Sequence, residues 1–392
     1  MPRKSRCVTS KRVNQITPSG IRRFFDLVAS MEGVISLGVG EPDFATPWHI
    51  REAAIYSLEK GYTMYTSNLG MPELRRELAR YLKDQYGLDY DPATELLITV
   101  GVSEGVDLAT RAIIDPGDEV IMADPGYVSY HSCVSLAGGK PVMVPTYEKD
   151  NFELGAGDIE KKITDQTKAI LIGYPANPTG AVMSRGKLEK IAEVARRHNL
   201  MIISDEIYSS LVYGVEHTCL ASLPRMKDST ILLGGFSKAY AMTGWRIGYA
   251  AGNKDIISAM FKIHQYTIMC APTMGQVAAI EALKSGDDSV REMVEDYNRR
   301  RLVMVKGLNK IGLPCFEPKG AFYAFPSIKA TGLSSEEFAK KLLIEEKVAV
   351  IPGSAFGECG EGYIRCCYAT SLADIEEALA RMGRFVKRCK KG

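Results

Sequence analysis

Short apolar runs bounded by glycine, proline and polar turns recur along this chain. Longer segments with apolar residues at helical spacing separate them. Leu96–Val100, Glu119–Ala123, Pro141–Val144, Lys168–Tyr174, Leu200–Ser204, Ile231–Leu233 and Ile247–Ala251 read as strands. Between them, Ser103–Ile114, Tyr127–Ala137 and Lys187–His198 read as helices. Strand and helix in alternation imply βαβ units. The expected class is therefore α/β, a large domain with a mainly parallel central sheet flanked by helices.

Ahead of this region, residues 1–30 read as a polar arm leading into a helix near Ile21–Ala29, followed by a strand at Val34–Leu37. Pro47 opens a helix to about Lys60, and Pro72 opens another with Leu74, Leu78 and Leu82 on one face. Beyond the last strand, Met260–Leu283 reads as one or two helices and Ser289–Ile311 as a long amphipathic one. The pattern changes after Pro314. Strands are predicted at Ala321–Phe325, Val348–Ile351 and Tyr363–Tyr368, with a helix opened by a Ser334/Glu337 capping box. A last helix runs from about Ser371, with Asp374 assigned to its cap position. These patterns divide the chain into an N-terminal arm with part of a small domain (1–47), a large domain (48–289) and a C-terminal small α+β domain (290–392).

The bulk composition narrows the function. With 392 residues, 46% of them hydrophobic, the chain can bury a large core. A formal net charge of +2 argues against bulk electrostatic capture of nucleic acid, and the basic residues at both ends read as solvated termini. Nine cysteines without a CxxC pair suggest free thiols in a reducing compartment, Cys133 and Cys270 among them as core residues. Five scattered histidines without HExxH give no zinc signature. No apolar run approaches the length of a membrane span. A cytoplasmic protein with small-molecule partners, and with neither nucleic acid nor membrane as partner, is expected.

The chemistry concentrates after Ile231–Leu233, a run that reads as a buried strand. Ser237-Lys238 follows a pair of glycines, and Arg246 comes eight residues after the lysine. A lysine in a partly dry pocket becomes a usable amine and can form a Schiff base with a carbonyl. An arginine beside a hydroxyl suits a phosphate, because the guanidinium fork matches phosphate oxygens. Aldehyde and phosphate on one small molecule suggest pyridoxal 5'-phosphate. A surface lysine and arginine on a glycine-rich loop is the ordinary alternative. Four further polar signals stand at strand ends, where ligands of open α/β sheets bind. Gly101-Val102-Ser103 opens a helix, a place for phosphate. Tyr127 could stack on a flat ring or simply be core. Asn177 is the amide donor in Pro-Ala-Asn-Pro-Thr-Gly, also a common turn sequence. Asp205 ends a buried strand and needs a cationic partner, which a protonated pyridine nitrogen would be, with Tyr208 three residues on.

These motifs, in this order, resemble those of the fold-type I pyridoxal-phosphate-dependent aminotransferases, class I/II, of the aspartate aminotransferase superfamily. The resemblance runs from about residue 14 to the C-terminal helix. It is carried by Gly-Glu-Pro-Asp at 40–43, Asn-Pro-Thr-Gly at 177–180, Ser-Asp-Glu-Ile-Tyr at 204–208, Ser-Lys at 237–238, Met-Thr-Gly-Trp-Arg-Ile-Gly at 242–248 and Tyr-Ile-Arg at 363–365. It implies that Lys238 is the Schiff-base lysine and that Asp205 pairs the pyridine nitrogen. Asn177 and Tyr208 would bond the ring's phenolic oxygen, and Tyr127 would stack on the ring. Val102, Ser103, Ser237 and Arg246 would hold the phosphate. Arg365, with Asn177 and the backbone near Gly40, would grip the substrate α-carboxylate. Tyr65 would reach the phosphate of a neighbouring subunit, which implies a homodimer with shared sites.

The implied reaction is ping-pong transamination from an L-amino acid to a 2-oxo acid such as 2-oxoglutarate, with Lys238 moving the Cα proton. Gly235 stands where many relatives carry a hydroxyl, and the arginine that marks dicarboxylate specificity has no evident counterpart. Aspartate/aromatic-type or broad specificity is expected. Lys262–Tyr266 is similar to branches that include aromatic, diaminopimelate-type and furan-aldehyde-phosphate transaminases. His264 within it reads as a satisfied helix residue. A C–S lyase on the same fold and a non-catalytic regulator that keeps the fold are the competing readings.

Overall fold

The computed structural model describes residues 8–14, 16 and 31–389. The expected helix near Ile21–Ala29 lies outside them. In chain order the elements that build the site begin with β1 (Ile35–Ser36), α1 (Trp48–Glu59), α2 (Pro72–Tyr86), β2 (Leu96–Thr99) and α3 (Gly101–Ile113). Next come β3 (Glu119–Asp124), α4 (Val128–Ala137), β4 (Lys140–Pro145), β5 (Thr167–Gly173), α5 (Arg185–Arg197) and β6 (Met201–Asp205). They are followed by β7 (Thr230–Gly235), β8 (Gly248–Ala251), α6 (Lys254–Thr267), α7 (Thr273–Ser285) and α8 (Asp287–Lys310). The chain closes with β9 (Tyr323–Ala324), α9 (Ser335–Glu346), β10 (Val348–Ala349), β11 (Ile351–Pro352), β12 (Ile364–Cys367) and α10 (Leu372–Cys389).

Seven strands form one sheet in the order β2-β8-β7-β6-β5-β3-β4. All neighbours are parallel except β8, which runs antiparallel to both β2 and β7. The exception follows from its connection. A parallel return needs a crossover element, whereas β7 and β8 are joined by the turns of 236–247 alone. Strand β2, the inner part of β5 and nearly all of β7 are buried on both faces. The strand sequence reverses direction between β3 and β5, and the crevice beyond the carboxyl ends at such a switch is where α/β sheets bind ligands.

The remaining strands are shorter. β1 pairs with β10 in parallel, Ile35 opposite Val348, and β11-β12-β9 form an antiparallel sheet. Their core joins Leu37, Met304, Phe322, Phe338, Ile375 and Phe385, drawn from α8, α9, α10 and the strands. Tyr208 belongs to the same cluster, so the loop after β6 is clamped between the two sheets.

Several predicted elements differ in detail. The Val348–Ile351 run splits at Val350 into β10 and β11, because its two ends bond different partners. Met260–Leu283 resolves into α6, which starts earlier under an Asn253 cap, and α7, with Met269 between them at a left-handed φ of 72°. The capping box of α9 forms as expected. At α10 the cap is Ser371, not Asp374. The Asp374 amide donates to Ser371 Oγ at 3.1 Å, and Ser371 Oγ donates to the Asp374 carboxylate at 2.7 Å. The shorter serine can reach back to the bare amides while the aspartate sits a turn in. Arg12 is not simply solvated, since it donates to the Leu136 carbonyl at 3.2 Å. Cys133 and Cys270 are half-buried rather than in the core. No helix among the described residues is long and apolar enough to cross a membrane.

Candidate active site

A cavity of about 740 Å³ opens beyond the carboxyl ends of β3, β5, β6 and β7. Gly40, Val102, Ser103, Tyr127, Asn177, Asp205, Tyr208, Ser237, Lys238, Arg246 and Arg365 all line it. Segments as distant as 38–41 and 365 are thereby brought onto one surface. Tyr65 does not line it. That ring is 81% exposed, in a loop held to α7 where Thr273 Oγ1 donates to the Met64 carbonyl. His264 also lies outside the cavity, fully buried, with Nδ1 2.7 Å from Glu104 Oε1.

At the centre, Lys238 Nζ donates to the Gly40 carbonyl at 2.7 Å. Burial lowers its pKa to about 8, with Glu41 and Cys367 acting the other way. Tyr208 and Phe322 present ring faces to the ammonium at 5.9 and 5.7 Å. A desolvated lysine close to neutrality is a competent nucleophile and base.

Asp205 ends β6, with its side chain turned into the cavity and buried. Tyr130 O–H donates to Oδ2 at 2.7 Å and the Ile207 amide to Oδ1 at 3.2 Å. Burial raises the carboxyl to about 6 despite both bonds. A buried carboxylate held this way is a receptor for a cation or a protonated ring nitrogen. Tyr127 packs edge-to-face on Tyr130 with centroids 5.4 Å apart. Glu206, next in the chain, points to the opposite side of the strand end, where Ser204 Oγ, the Leu220 amide and His217 Nε2 surround it.

An anion cradle forms at the start of α3. Gly101 has φ of 72°, and a Cβ there would come 2.7 Å from Arg246 Nη2. A Cβ on Gly248 would lie 2.8 Å from the Val102 nitrogen, so β8 presses directly against the helix start. Arg246 itself is at a left-handed φ of 56°, a conformation that costs a non-glycine residue about 1 kcal/mol or more, and Nη1 is held by the Thr243 carbonyl at 2.9 Å. Bare amides at a helix N-terminus, the hydroxyls of Ser103 and Ser237, and a guanidinium together suit a phosphate.

Arg365, on β12, is buried. Nη1 donates to Asn177 Oδ1 at 2.8 Å and Nη2 to the Gly38 carbonyl at 2.5 Å, while Nε is buried without a partner. A buried guanidinium that lines a cavity suits a carboxylate.

Sequence pattern does not single out Tyr130 or Tyr323. Tyr130 stands in α4 three residues after Tyr127, the residue that flanks the helix start, a spacing that brings the two side chains together and could have revealed it. Tyr323 sits inside an apolar run and reads as core, yet its hydroxyl is 2.7 Å from that of Tyr208.

The donor set fits pyridoxal phosphate at each of its poles: a cradle for phosphate, a carboxylate for the ring nitrogen, a phenol and an amide for the ring oxygen and an amine for the aldehyde. Fold and cavity together define the fold-type I pyridoxal-phosphate-dependent transferases. The chain belongs to the aminotransferase class I and II family, whose model matches residues 32–382. It is 56% identical to the Bacillus subtilis protein YugH, over 97% of this chain and 98% of that one. It is 47% identical to an aspartate aminotransferase of Pyrococcus abyssi, over 97% and 99%. An aromatic aminotransferase from Pyrococcus horikoshii superposes with a TM-score of 0.90 at 47% identity, covering 94% of this chain and 99% of that one. The protein is therefore a pyridoxal-phosphate-dependent transaminase.

Proposed function

We propose that this transaminase takes aromatic and other L-amino acids as donors, with 2-oxoglutarate as acceptor. The observation that carries this reading is the census of cations in the cavity. Lys238, Arg246 and Arg365 are the basic residues of this chain that line it, and each has a duty assigned below. No further cation of the described lining is left for a second carboxylate, whereas Val39 and Ile207 offer apolar surface. The names of the aspartate and aromatic relatives support both donor types, and binding of a dicarboxylate would draw on a cation from a second subunit.

When bound, pyridoxal phosphate supplies an aldehyde that links to amines and a protonated ring that stores negative charge. Val102, Ser103, Ser237 and Arg246 would hold its phosphate. Asp205, kept in place by Tyr130, would hold the ring nitrogen. Asn177 and Tyr208 would hold the phenolic oxygen, and Tyr127 would cover the ring face. Arg365 would bind the substrate α-carboxylate with Asn177 and the backbone near Gly40, fixing which Cα bond faces Lys238. Lys238 Nζ would take the Cα proton as base and return it as acid, a role suited to an amine near neutrality at working pH.

The assembly belongs to the same proposal. Tyr62, Met64, Tyr65, Tyr266, Ile268 and Met269 are exposed large apolar residues from neighbouring segments. A second copy covering them would make a homodimer and could carry Tyr65 to the other subunit's phosphate cradle. The division at 47/48 and 289/290 and a cytoplasmic location are part of this reading, the latter supported by eight described cysteines that are all free.

The test is the absorption spectrum of the pure holoenzyme with single donors and no acceptor. Bleaching of the yellow band by tyrosine or phenylalanine, and its return with 2-oxoglutarate, is the expected result. Bleaching by aspartate alone would refute the specificity.

A further inference from the structure

Three parts of the site converge on Tyr323. Its hydroxyl meets that of Tyr208 at 2.7 Å. Its ring face carries the Arg365 guanidinium, 4.4 Å from the centroid. A Cβ on Gly40 would lie 2.3 Å from the Tyr323 oxygen, so the segment that accepts the Lys238 hydrogen bond rests on this residue. The ring is 1% exposed and cannot swing to solvent without opening the core.

A phenol has one proton to donate, and of two paired phenols the stronger acid gives it. The nearby guanidinium favours ionisation of Tyr323. On Tyr208 its influence ranks below that of Tyr323 itself. We propose, on the reading that Tyr208 holds the phenolic oxygen of the cofactor, that Tyr323 is a positioning residue with two functions. Its hydroxyl donates to Tyr208, leaving the Tyr208 proton free and more acidic for the ring oxygen, and its ring is the platform that aims Arg365 at the substrate carboxylate. One side chain thereby links the grip on the substrate to the electronics of the cofactor.

The experiment separates the two functions in the holoenzyme. Tyr323→Phe removes one oxygen and keeps the ring, while Tyr323→Leu removes both. The readouts are the pH midpoint of the visible band and the KM for the amino donor. A weaker donor at the ring oxygen leaves more electron density on the ring and raises the midpoint. Tyr323→Phe should therefore raise it, by less than Tyr208→Phe does, with KM unchanged. Added to Tyr208→Phe, it should move the midpoint no further, because its effect passes through that hydroxyl. Tyr323→Leu should raise the midpoint and KM together. A wild-type midpoint in Tyr323→Phe, or a further shift in the double variant, would overturn the inference while leaving the cofactor reading intact. A wild-type protein that takes up no pyridoxal phosphate would overturn both.

Discussion

Replacing Tyr130 by phenylalanine removes a single oxygen from the molecule and should retitrate Asp205. The Tyr130 hydroxyl donates to Asp205 Oδ2 at 2.7 Å, and a Cβ on Gly173 would lie 2.2 Å from the phenol oxygen, so strand β5 leaves room for that oxygen and little else. Burial pushes the carboxyl up from 3.8 to about 6, and the bond from Tyr130 opposes the push. A hydrogen bond to a charged group contributes about 1.5–3 kcal/mol. At 1.36 kcal/mol per pH unit, its loss should carry Asp205 up by about 1–2 units, to about 7–8. A carboxyl whose folded value exceeds its unfolded one stabilises the protein least when ionised. That cost is absent below the unfolded value, grows as pH rises, and levels off above the folded value. Wild-type apoprotein should stop losing stability from this group above about pH 6, and the variant only above about pH 7–8, so the gap between them opens between those limits. Carboxyl-labelled aspartate in the apoprotein, with Asp205 assigned through Asp205→Asn, reads the titration directly by carbon NMR. A parallel series of melting curves reads the stability. An Asp205 resonance that titrates at the same pH in both proteins would refute the reasoning.

Three other outcomes are expected. Lys238→Ala should lower turnover by at least about 10²–10⁴-fold in steady-state assays, the span that general acid–base catalysis supplies, with the melting curve showing a folded protein. The rate at which apoprotein takes up pyridoxal phosphate, followed by stopped-flow absorbance, should rise with pH through about 8 as Lys238 loses its proton, and a rise delayed to the ordinary lysine range would contradict the burial of this amine. Gly248→Ala places a methyl 2.7 Å from the Gly101 carbonyl carbon and 2.8 Å from the Val102 nitrogen. Overpacking of this kind costs about 1–3 kcal/mol, and equilibrium dialysis should show weaker cofactor binding where Gly244→Ala, with open space around its Cβ, binds normally.

What the sequence discloses, and what it withholds, follows from range. Strands β2 to β7 are legible because a buried strand must be apolar over its own few residues, and Ser103, Tyr127, Asn177, Asp205 and Lys238 are legible because each stands at or just after the end of such a strand. The reversed direction of β8 is not, since Ile247–Ala251 looks the same run either way and only the lack of a crossover decides. The split at Val350 depends on partners in β1 and β12, which no local pattern contains. Tyr323 is hidden for the same reason. An aromatic among Ala321, Phe322 and Phe325 is indistinguishable from core until Tyr208, more than a hundred positions earlier, is placed against it. Asp374 was drawn to the cap by its chemistry, but the backbone entry into α10 gave that place to Ser371.

The Gly38–Gly40 segment is tied at one end to Arg365 and at its other to Lys238. The strand before it, β1, finds its partner only at Val348–Ala349. During synthesis this segment emerges before Lys238, and β1 emerges before its partner strand, which lies about three hundred positions further on. At the usual pace of about 5–20 residues per second, the wait is tens of seconds. On the roles proposed above, a nascent chain halted before Arg365 would own the lysine, the phosphate cradle and the ring-nitrogen carboxylate, yet lack the guanidinium proposed to recognise an amino acid. The proposed grip on the substrate carboxylate is thus completed later than the rest of the site.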